Sequence, residues 1–272
     1  MISEYDMMEP FYFGNSARSL FGIYHPPQLE KARNVGVILC YPMGEDYIRS
    51  HRAFVRLAML LSSAGFHTLR FDYYGCGDSE GDSDQGEIRQ WLADISTAVE
   101  ELKGGSDLNQ ICLAGLRLGG NLAMLAGAER GDIDGIVLWN PVINGRKYIE
   151  ELTTLHQEKI RNFFPGVKSF SEGESYREAL GFPLPDSMLK DLEKLDLYAI
   201  RQKPASKILF IESSDVSEDG RFREHLNSIG VSLRYKHIPG FEPWIERDDW
   251  GQGMVPIKVL QFVVSWISEM FP

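Results

Sequence analysis

The chain has 272 residues, of which 43% are hydrophobic and 25% are charged, as expected of a globular protein with one large core. Its 28 basic and 39 acidic residues give a formal net charge of −11, and the basic residues are scattered along the chain. This balance argues against strongly anionic partners, so we expect neither nucleic acid nor an anionic membrane surface as a partner.

Other features indicate a cytoplasmic protein. The N-terminal sequence MISEYDMMEP lacks the basic and apolar regions of a signal peptide. The chain has 3 cysteines and no C-x-x-C pair, so we expect a reducing compartment, no metal site and no cofactor. The most apolar helical stretch, 254–271, contains Pro256, Lys258 and Glu269 and is too short to span a bilayer.

In chain order, the predicted elements begin with an antiparallel hairpin, since two aromatic runs within 10–24 flank Gly14-Asn15-Ser16. Strands buried in a parallel sheet and helices with one apolar face then alternate. The strands are predicted at 35–41, 66–71, 111–114, 135–140, 207–211 and 231–238. The helices are predicted at 50–63, from 87 to the Gly104-Gly105 pair, and at 121–129, 220–228 and 255–270. This alternation predicts an α/β protein with a mostly parallel central sheet and helices on both faces.

The alternation stops at 144–204, where no strand is predicted and the sequence is amphipathic and helical. We therefore divide the chain into a core, residues 1–143 and 205–272, and a helical cap, residues 144–204. One interpretation is a helical excursion packed on the sheet. The interpretation that we favour is a lid over the carboxyl ends of the strands, where ligands bind in such sheets.

The stretch ICLAGLRLGGNLAM, 111–124, combines a buried strand, a sharp turn bounded by Gly115, Gly119 and Gly120, and a helix. This is the pattern of the nucleophile elbow G-x-S-x-G, in which glycines allow the strand and the helix to pass closely. The central position is Arg117 instead of serine. The pattern therefore predicts the geometry of an elbow without its nucleophile.

A second motif, DYYGCGDS at 72–79, resembles the D-x-x-G-x-G-x-S loop of α/β-hydrolases. Together with the elbow and the order of elements, it makes essentially the whole chain resemble the α/β-hydrolase fold with a helical cap insertion, near the serine aminopeptidase and monoacylglycerol-lipase branch. The segments GLRLGG, LWNPVINGRKYIEELTTLH and ALGFPLPDSMLKDLEKLDL also resemble a subgroup of exosortase-associated hydrolases, in which arginine likewise occupies the elbow.

The resemblance implies a nucleophile at the elbow, an acid after a later strand and a histidine after the last strand. Asp215 occupies the acid position, although an aspartate there is equally expected as a helix N-cap. No histidine follows Pro239-Gly240, and Glu242 lies near the position where it would be expected. Arg117 is neither a nucleophile nor a base, because a guanidinium stays protonated in proteins. The sequence therefore does not support a Ser-His-Asp mechanism.

Three further side chains are possible substitutes for the missing catalytic residues. His51 follows the expected oxyanion loop and His156 lies in the cap, so either could reach the site, although we favour structural roles for both. Cys76 occupies a variable position of the glycine-rich motif and has no evident histidine partner, so we interpret it as structural.

Arg117 has two interpretations. At the start of a helix, near backbone amides that the resemblance assigns to Met43 and Leu118 as oxyanion donors, it could bind a carboxylate, a phosphate or a sulfate. Alternatively Asp215 and Glu242 neutralise it internally, since leaving a buried arginine unpaired costs several kcal/mol. We favour the internal ion pair slightly.

The predicted function is that of a hydrolase-like protein with a degenerate triad, which acts on or binds an acyl ester, a thioester or an anionic small molecule under the cap. Three classes remain open: an atypical hydrolase, a lyase or isomerase that stabilises an enolate-like intermediate, and a non-catalytic binding protein or pseudoenzyme. Whether the protein is an enzyme, and whether it forms a homo-oligomer, is left open.

Overall fold

The computed structural model of the protein describes residues 8–29, 32–106, 108–163, 178–213, 220–240 and 254–272. Its strands are β1 (Glu9–Asn15), β2 (Arg18–His25), β3 (Val35–Cys40), β4 (His67–Phe71), β5 (Gln110–Leu116), β6 (Gly135–Trp139), β7 (Glu178–Ala179), β8 (Phe182–Pro183), β9 (Lys207–Glu212) and β10 (Ser232–His237). Its α-helices are α1 (Gly44–Ser63), α2 (Ile88–Ser106), α3 (Leu118–Arg130), α4 (Gly145–Phe163), α5 (Asp186–Lys194), α6 (Arg221–Ser228) and α7 (Ile257–Met270).

Eight strands form one sheet in the order β1-β2-β4-β3-β5-β6-β9-β10. β1 pairs with β2, and β2 with β4, in antiparallel orientation, and the remaining pairs of this sheet are parallel. All six residues of β3 are buried, as expected of a strand that is covered on both faces. The mostly parallel sheet predicted from the sequence is confirmed.

The strand order determines which face of the sheet each connecting helix covers. The chain moves from β3 to β4 in one direction and from β4 through β5 to β6 in the other, so right-handed connections place α1 on one face and α2 and α3 on the opposite face. Accordingly α1 packs against α7, whereas α2 packs against α3.

Two boundaries differ from the prediction. α1 begins at Gly44, earlier than the predicted residue 50, and carries Glu45 and Asp46 in its first turn, where acidic side chains favour a helix. α2 continues through Gly104 and Gly105 to Ser106, because a glycine costs a helix only about 1 kcal/mol and does not by itself end one.

The segment 144–204 joins β6 to β9 and contains α4 and α5, which pack against each other. Its two ends are joined where Gly145 donates a backbone hydrogen bond to Leu195 at 2.8 Å. The prediction that this segment has no strand is wrong, since β7 and β8 form a short antiparallel pair. Strands of two residues are too short to show the alternation by which a strand is recognised.

Within the described residues, no helix combines the length and the hydropathy that crossing a bilayer requires.

Candidate functional site

Arg117 is the single residue between β5 and α3, and its backbone makes the sharp turn that the sequence predicts. Its backbone φ of 52° and ψ of −127° lie outside the regions that residues other than glycine normally adopt. The turn is fixed on both sides, because Arg117 N–H donates to Trp139 O at 2.9 Å and Gly120 N–H donates to Arg117 O at 3.0 Å.

The glycines beside Arg117 are required by the close approach of strand and helix. A Cβ added at Gly115 would lie 2.3 Å from the carbonyl carbon of Gly119, and one added at Gly119 would lie 2.1 Å from Cys40 O. Backbone atoms cannot move aside as a side chain can, so only glycine fits at either position. The second of these contacts also places the start of α3 against the backbone that follows β3.

The side chain of Arg117 is ion-paired within the protein. Its Nη2 lies 2.5 Å from Glu151 Oε1, and its Nε lies 3.5 Å from Asp46 Oδ2. Its Cζ lies 5.2 Å from the ring centroid of Tyr148, and the Tyr148 hydroxyl donates to Asp46 Oδ2 at 3.2 Å. We call Asp46, Arg117, Tyr148 and Glu151 the elbow network; it joins α1, the turn between β5 and α3, and α4.

Charge and burial define what this network can do. Burial acts to lower the pKa of Arg117, but the charges of Asp46 and Glu151 outweigh it and raise the pKa. Burial raises the pKa of Asp46, Arg117 opposes this, and the charge of Glu151 adds to it. Arg117 therefore stays protonated and performs neither nucleophilic nor base chemistry. Two carboxylates already surround one guanidinium, so an incoming anion would meet repulsion.

The acids proposed from the sequence as partners of Arg117, Asp215 and Glu242, lie outside the described residues, and that pairing stays a prediction. Sequence reasoning missed Asp46 and Glu151. Asp46 lies in the turn of α1 that was not predicted to be helical. Glu151 follows Tyr148 by three residues in α4, so both lie on the same side of the helix. That spacing is the feature of the sequence that could have indicated Glu151.

The two expected oxyanion donors lie at neighbouring helix starts. Met43 is the N-cap residue of α1, and Leu118 is the first residue of α3. Amides in the first turn of a helix have no helical carbonyl to bond, which leaves them suited to an oxyanion. Their role in binding stays a prediction.

The two accessory histidines make contacts typical of structural side chains. The His51 ring lies 6.0 Å from the ring of Tyr41 in a stacked arrangement, and burial, aided by the charge of Arg70, lowers its pKa. His156 Nδ1 accepts the N–H of Leu180 at 3.1 Å.

The glycine-rich loop after β4 folds around the carboxylate of Asp72. The Tyr47 hydroxyl donates to Asp72 Oδ1 at 2.8 Å, and Asp78 N–H donates to Asp72 Oδ2 at 3.1 Å. A Cβ at Gly77, whose φ is 53°, would lie 2.1 Å from Asp72 Oδ2. The motif DYYGCGDS thus has a structural explanation, in which glycine is needed for close approach to a buried carboxylate.

Beside this loop lies a cavity of about 180 Å³, which we call the apolar cavity. The loop after β3, the start of α1, the glycine-rich loop and the β8–α5 part of the insertion enclose it, and Arg117 is not in its wall. Its aromatic and apolar lining includes Tyr41, Tyr47, Tyr73, Trp91, Phe182 and Met188. Sequence reasoning had centred the ligand site on Arg117 and did not foresee this cavity.

Cys76 also lines the apolar cavity, and its thiol is a poor nucleophile. Burial, with Asp72 nearby, raises its pKa to about 12. A thiolate, not a thiol, is the reactive species, so this environment favours a structural role. In the described part of the chain, no group of histidine, cysteine, aspartate and glutamate side chains is arranged to hold a metal ion.

The chain matches a known family model over much of its length. Residues 37–205, more than half of the chain, match the family model described as serine aminopeptidase, S33. This match runs from β3 through the elbow and the insertion.

Two human proteins resemble part of the chain. Protein ABHD12B is 33% identical over 112 residues, which are 40% of this chain and 30% of that protein. The mitochondrial palmitoyl-protein thioesterase ABHD10 is 29% identical over 100 residues, which are 37% of this chain and 31% of that protein. The chain thus matches less than a third of the length of these curated relatives.

Solved structures match over nearly the whole chain. Est1E from Butyrivibrio proteoclasticus with bound ferulic acid has a TM-score of 0.67 and 19% identity, with 95% of this chain and 96% of that chain covered. A putative hydrolase from Agrobacterium vitis S4 has a TM-score of 0.62 and 17% identity, with 97% and 98% covered. At these identities the likeness establishes the fold alone, and it confirms the α/β-hydrolase fold expected from the sequence.

Proposed function

The chain belongs to the serine aminopeptidase S33 family, and we propose that it binds a small neutral acyl or aryl compound in the apolar cavity without serine-type hydrolysis. In this proposal the insertion 144–204 is a cap, the triad is degenerate, and the protein is a pseudoenzyme of the esterase and thioesterase type. The main support for the proposal is an apolar cavity near an elbow whose arginine is ion-paired within the protein.

The size and lining of the cavity support a small apolar ligand. Its volume of about 180 Å³ is slightly larger than the ~150 Å³ apolar cavity that binds benzene in an engineered protein. Each methylene that a ligand transfers from water to such surroundings contributes about 0.8 kcal/mol. One aryl ring or a short acyl chain would therefore fill the cavity with a useful gain in binding free energy.

Charge supports a neutral ligand over an anionic one. The ion pairs of Arg117 use the guanidinium that an anionic ligand would need, and Asp46 and Glu151 leave the elbow network with an excess of negative charge when both are ionised. An anionic ligand would have to displace Glu151, whose side chain is 38% exposed, from Arg117. The carboxylate-binding alternative considered from the sequence is for this reason the second choice.

The names of similar proteins guide the choice of probes. Ferulic acid, bound in Est1E, is an aryl compound, and the human relative ABHD10 is a palmitoyl-protein thioesterase. These ligands and activities belong to those proteins. They recommend neutral aryl esters and acyl esters as the compounds to test first.

The test measures binding and turnover separately. Isothermal titration calorimetry with methyl benzoate and methyl hexanoate is expected to detect binding to the wild type. Ile48 lines the cavity, and it is 57% exposed, so Ile48→Asp places a charge at the cavity wall without disturbing the core. We expect this variant to weaken binding about tenfold, or ~1.4 kcal/mol.

The matched control is Ile257→Asp, because Ile257 is another exposed isoleucine, at the first position of α7 and outside the cavity wall. It should bind both esters as the wild type does. Absence of binding to every neutral ester would overturn the proposal. Turnover of nitrophenyl esters that is lost in Arg117→Met would overturn its non-catalytic part.

A further inference from the structure

The hairpin formed by β7 and β8 reaches the apolar cavity together with the start of α5, and its turn is strained. Ala179 pairs with Phe182, so Leu180 and Gly181 form a loop of two residues, with φ values of 59° and 94°. Turns with two positive φ values normally contain asparagine, aspartate or glycine. A leucine in this region is sterically disfavoured, so its surroundings must hold it there.

Two side chains of α4, one turn apart, hold both backbone polar groups of Leu180. His156 Nδ1 accepts the Leu180 N–H at 3.1 Å, and Lys159 Nζ donates to Leu180 O at 3.5 Å. Lys159 Nζ also lies 3.3 Å from Glu45 Oε1, which connects the same contact to α1. The hairpin is therefore fixed to two helices.

This fixed hairpin places Phe182 at the wall of the apolar cavity. Phe182 follows the turn directly and lies over the first residue of α1, since a Cβ built on Gly44 would lie 3.7 Å from carbons of the Phe182 ring. The ring is half-buried and lines the cavity together with Pro183 and Met188. It thus forms part of the cavity wall where the insertion meets the core.

We propose that Phe182 sets the upper size limit of the acyl group that the protein accepts, with His156 and Lys159 as positioning residues for the hairpin. This inference rests on the proposed function and names its ligand class as neutral esters of aryl acids or short-chain acids. A long acyl chain exceeds the space that Phe182 borders, because the cavity of about 180 Å³ is only slightly larger than the ~150 Å³ that accommodates benzene.

The test is the chain-length dependence of binding, measured by calorimetry with methyl butyrate, methyl hexanoate, methyl octanoate and methyl decanoate. For the wild type, affinity should rise by about fourfold for each added methylene until the cavity is full and then fall. In Phe182→Ala the best ligand should be longer by at least one member of the series. Phe182→Leu should lie between the two.

The control for loss of an aromatic side chain is Tyr12→Ala, because Tyr12 is 64% exposed on β1, away from the cavity. It should leave the profile unchanged. A wild type that binds no ester contradicts the proposed function itself. A wild type with a clear optimum that Phe182→Ala leaves in place contradicts the role of Phe182 alone.

A pair of variants at His156 tests the positioning role. His156→Leu removes the acceptor for the Leu180 N–H, so the hairpin should loosen and the chain-length profile should broaden, with longer esters accepted. His156→Asn places an amide oxygen on Cγ, where histidine carries Nδ1, and should restore the wild-type profile. Equal profiles for the two variants, whether broad or narrow, would refute the positioning role of His156.

Discussion

The elbow network and the apolar cavity both adjoin the start of α1. The first is a set of charges paired with one another, and the second is a space with apolar walls. In the elbow network each charge has a partner inside the protein: Arg117 contacts Asp46, Glu151 and the ring of Tyr148. In the apolar cavity, aromatic and aliphatic walls border space that none of the described side chains fills. The conspicuous polar position is therefore satisfied within the protein, whereas the less conspicuous apolar space can contribute binding free energy to a ligand.

The largest expected effect comes from breaking the elbow network. Arg117→Ala would leave Asp46 and Glu151 beside each other without a cation, and removing one partner of a buried ion pair costs about 3 to 5 kcal/mol. Because Glu151 is 38% exposed, we expect a loss near the lower end of that range, about 3 kcal/mol in the free energy of unfolding. Urea denaturation of the two proteins measures it.

Arg234→Ala provides the matched control, because Arg234 forms an ion pair with Glu269 at 2.6 Å in which both side chains are exposed, at 42% and 54%. Exposed pairs contribute little, so this variant should unfold with the wild type. Equal stability of the two variants would show that the elbow network contributes no more than a surface pair. Ester binding retained by Arg117→Ala at low denaturant would separate the two regions functionally.

The elbow itself could be predicted from the sequence because its constraints are local. The glycines at 115, 119 and 120 lie within a few residues of Arg117, and the apolar runs that form the sheet are also visible in short windows. The partners of Arg117 could not be predicted in the same way. Asp46 and Glu151 come from α1 and α4, and no periodicity of either helix reports which distant charge each one meets.

The cavity was beyond sequence reasoning for a related reason. Its walls come from the loop after β3, the starts of α1 and α2, the glycine-rich loop and the β8–α5 region, and none of these segments is unusual in composition. Only the packing of all of them leaves space among Tyr47, Trp91 and Phe182. The hairpin that carries Phe182 was itself missed, because its strands have two residues each.

Acid pH acts on a buried histidine that belongs neither to the elbow network nor to the apolar cavity. His25 is 2% exposed, its Nε2 accepts from Arg70 Nε at 3.0 Å, and burial, aided by the charge of Arg70, lowers its pKa to about 4. An unfolded chain binds a proton at histidine near pH ~6.5, so between ~6.5 and about 4 the unfolded state holds more protons than the folded state. The free energy of unfolding should therefore fall as pH falls through this window, by about 3 kcal/mol in total from His25.

The measurement compares urea unfolding near pH ~7 and near pH ~4.5 for the wild type and His25→Gln. The glutamine oxygen can still accept from Arg70 but does not titrate, so the variant should lose much of the pH dependence. The remaining pH dependence combines opposite contributions, because burial lowers the pKa values of His51 and His67 and raises those of Asp46, Asp72 and Asp94. Identical slopes for the two proteins would mean that His25 is not the group responsible.

The smallest expected effect is an increase in the free energy of unfolding. It is expected for changes at Gly104 and Gly105 of α2, where the sequence predicts the end of the helix. Gly104 and Gly105 are exposed within the helix, have no atom within 4 Å of an added Cβ, and do not have positive φ. Alanine restricts the unfolded chain, so each change to alanine should raise the free energy of unfolding by about 0.5 to 1 kcal/mol. Thermal unfolding checks this, and a decrease at either position would mean that the helix ends earlier. Gly119→Ala is the opposing case: its Cβ would lie 2.1 Å from Cys40 O, so this change should lower the free energy of unfolding. Glycine is thus dispensable in a helix with free space around it and required at the elbow. The double change Gly104→Ala, Gly105→Ala would also give Arg117→Ala the extra stability that its binding measurements need.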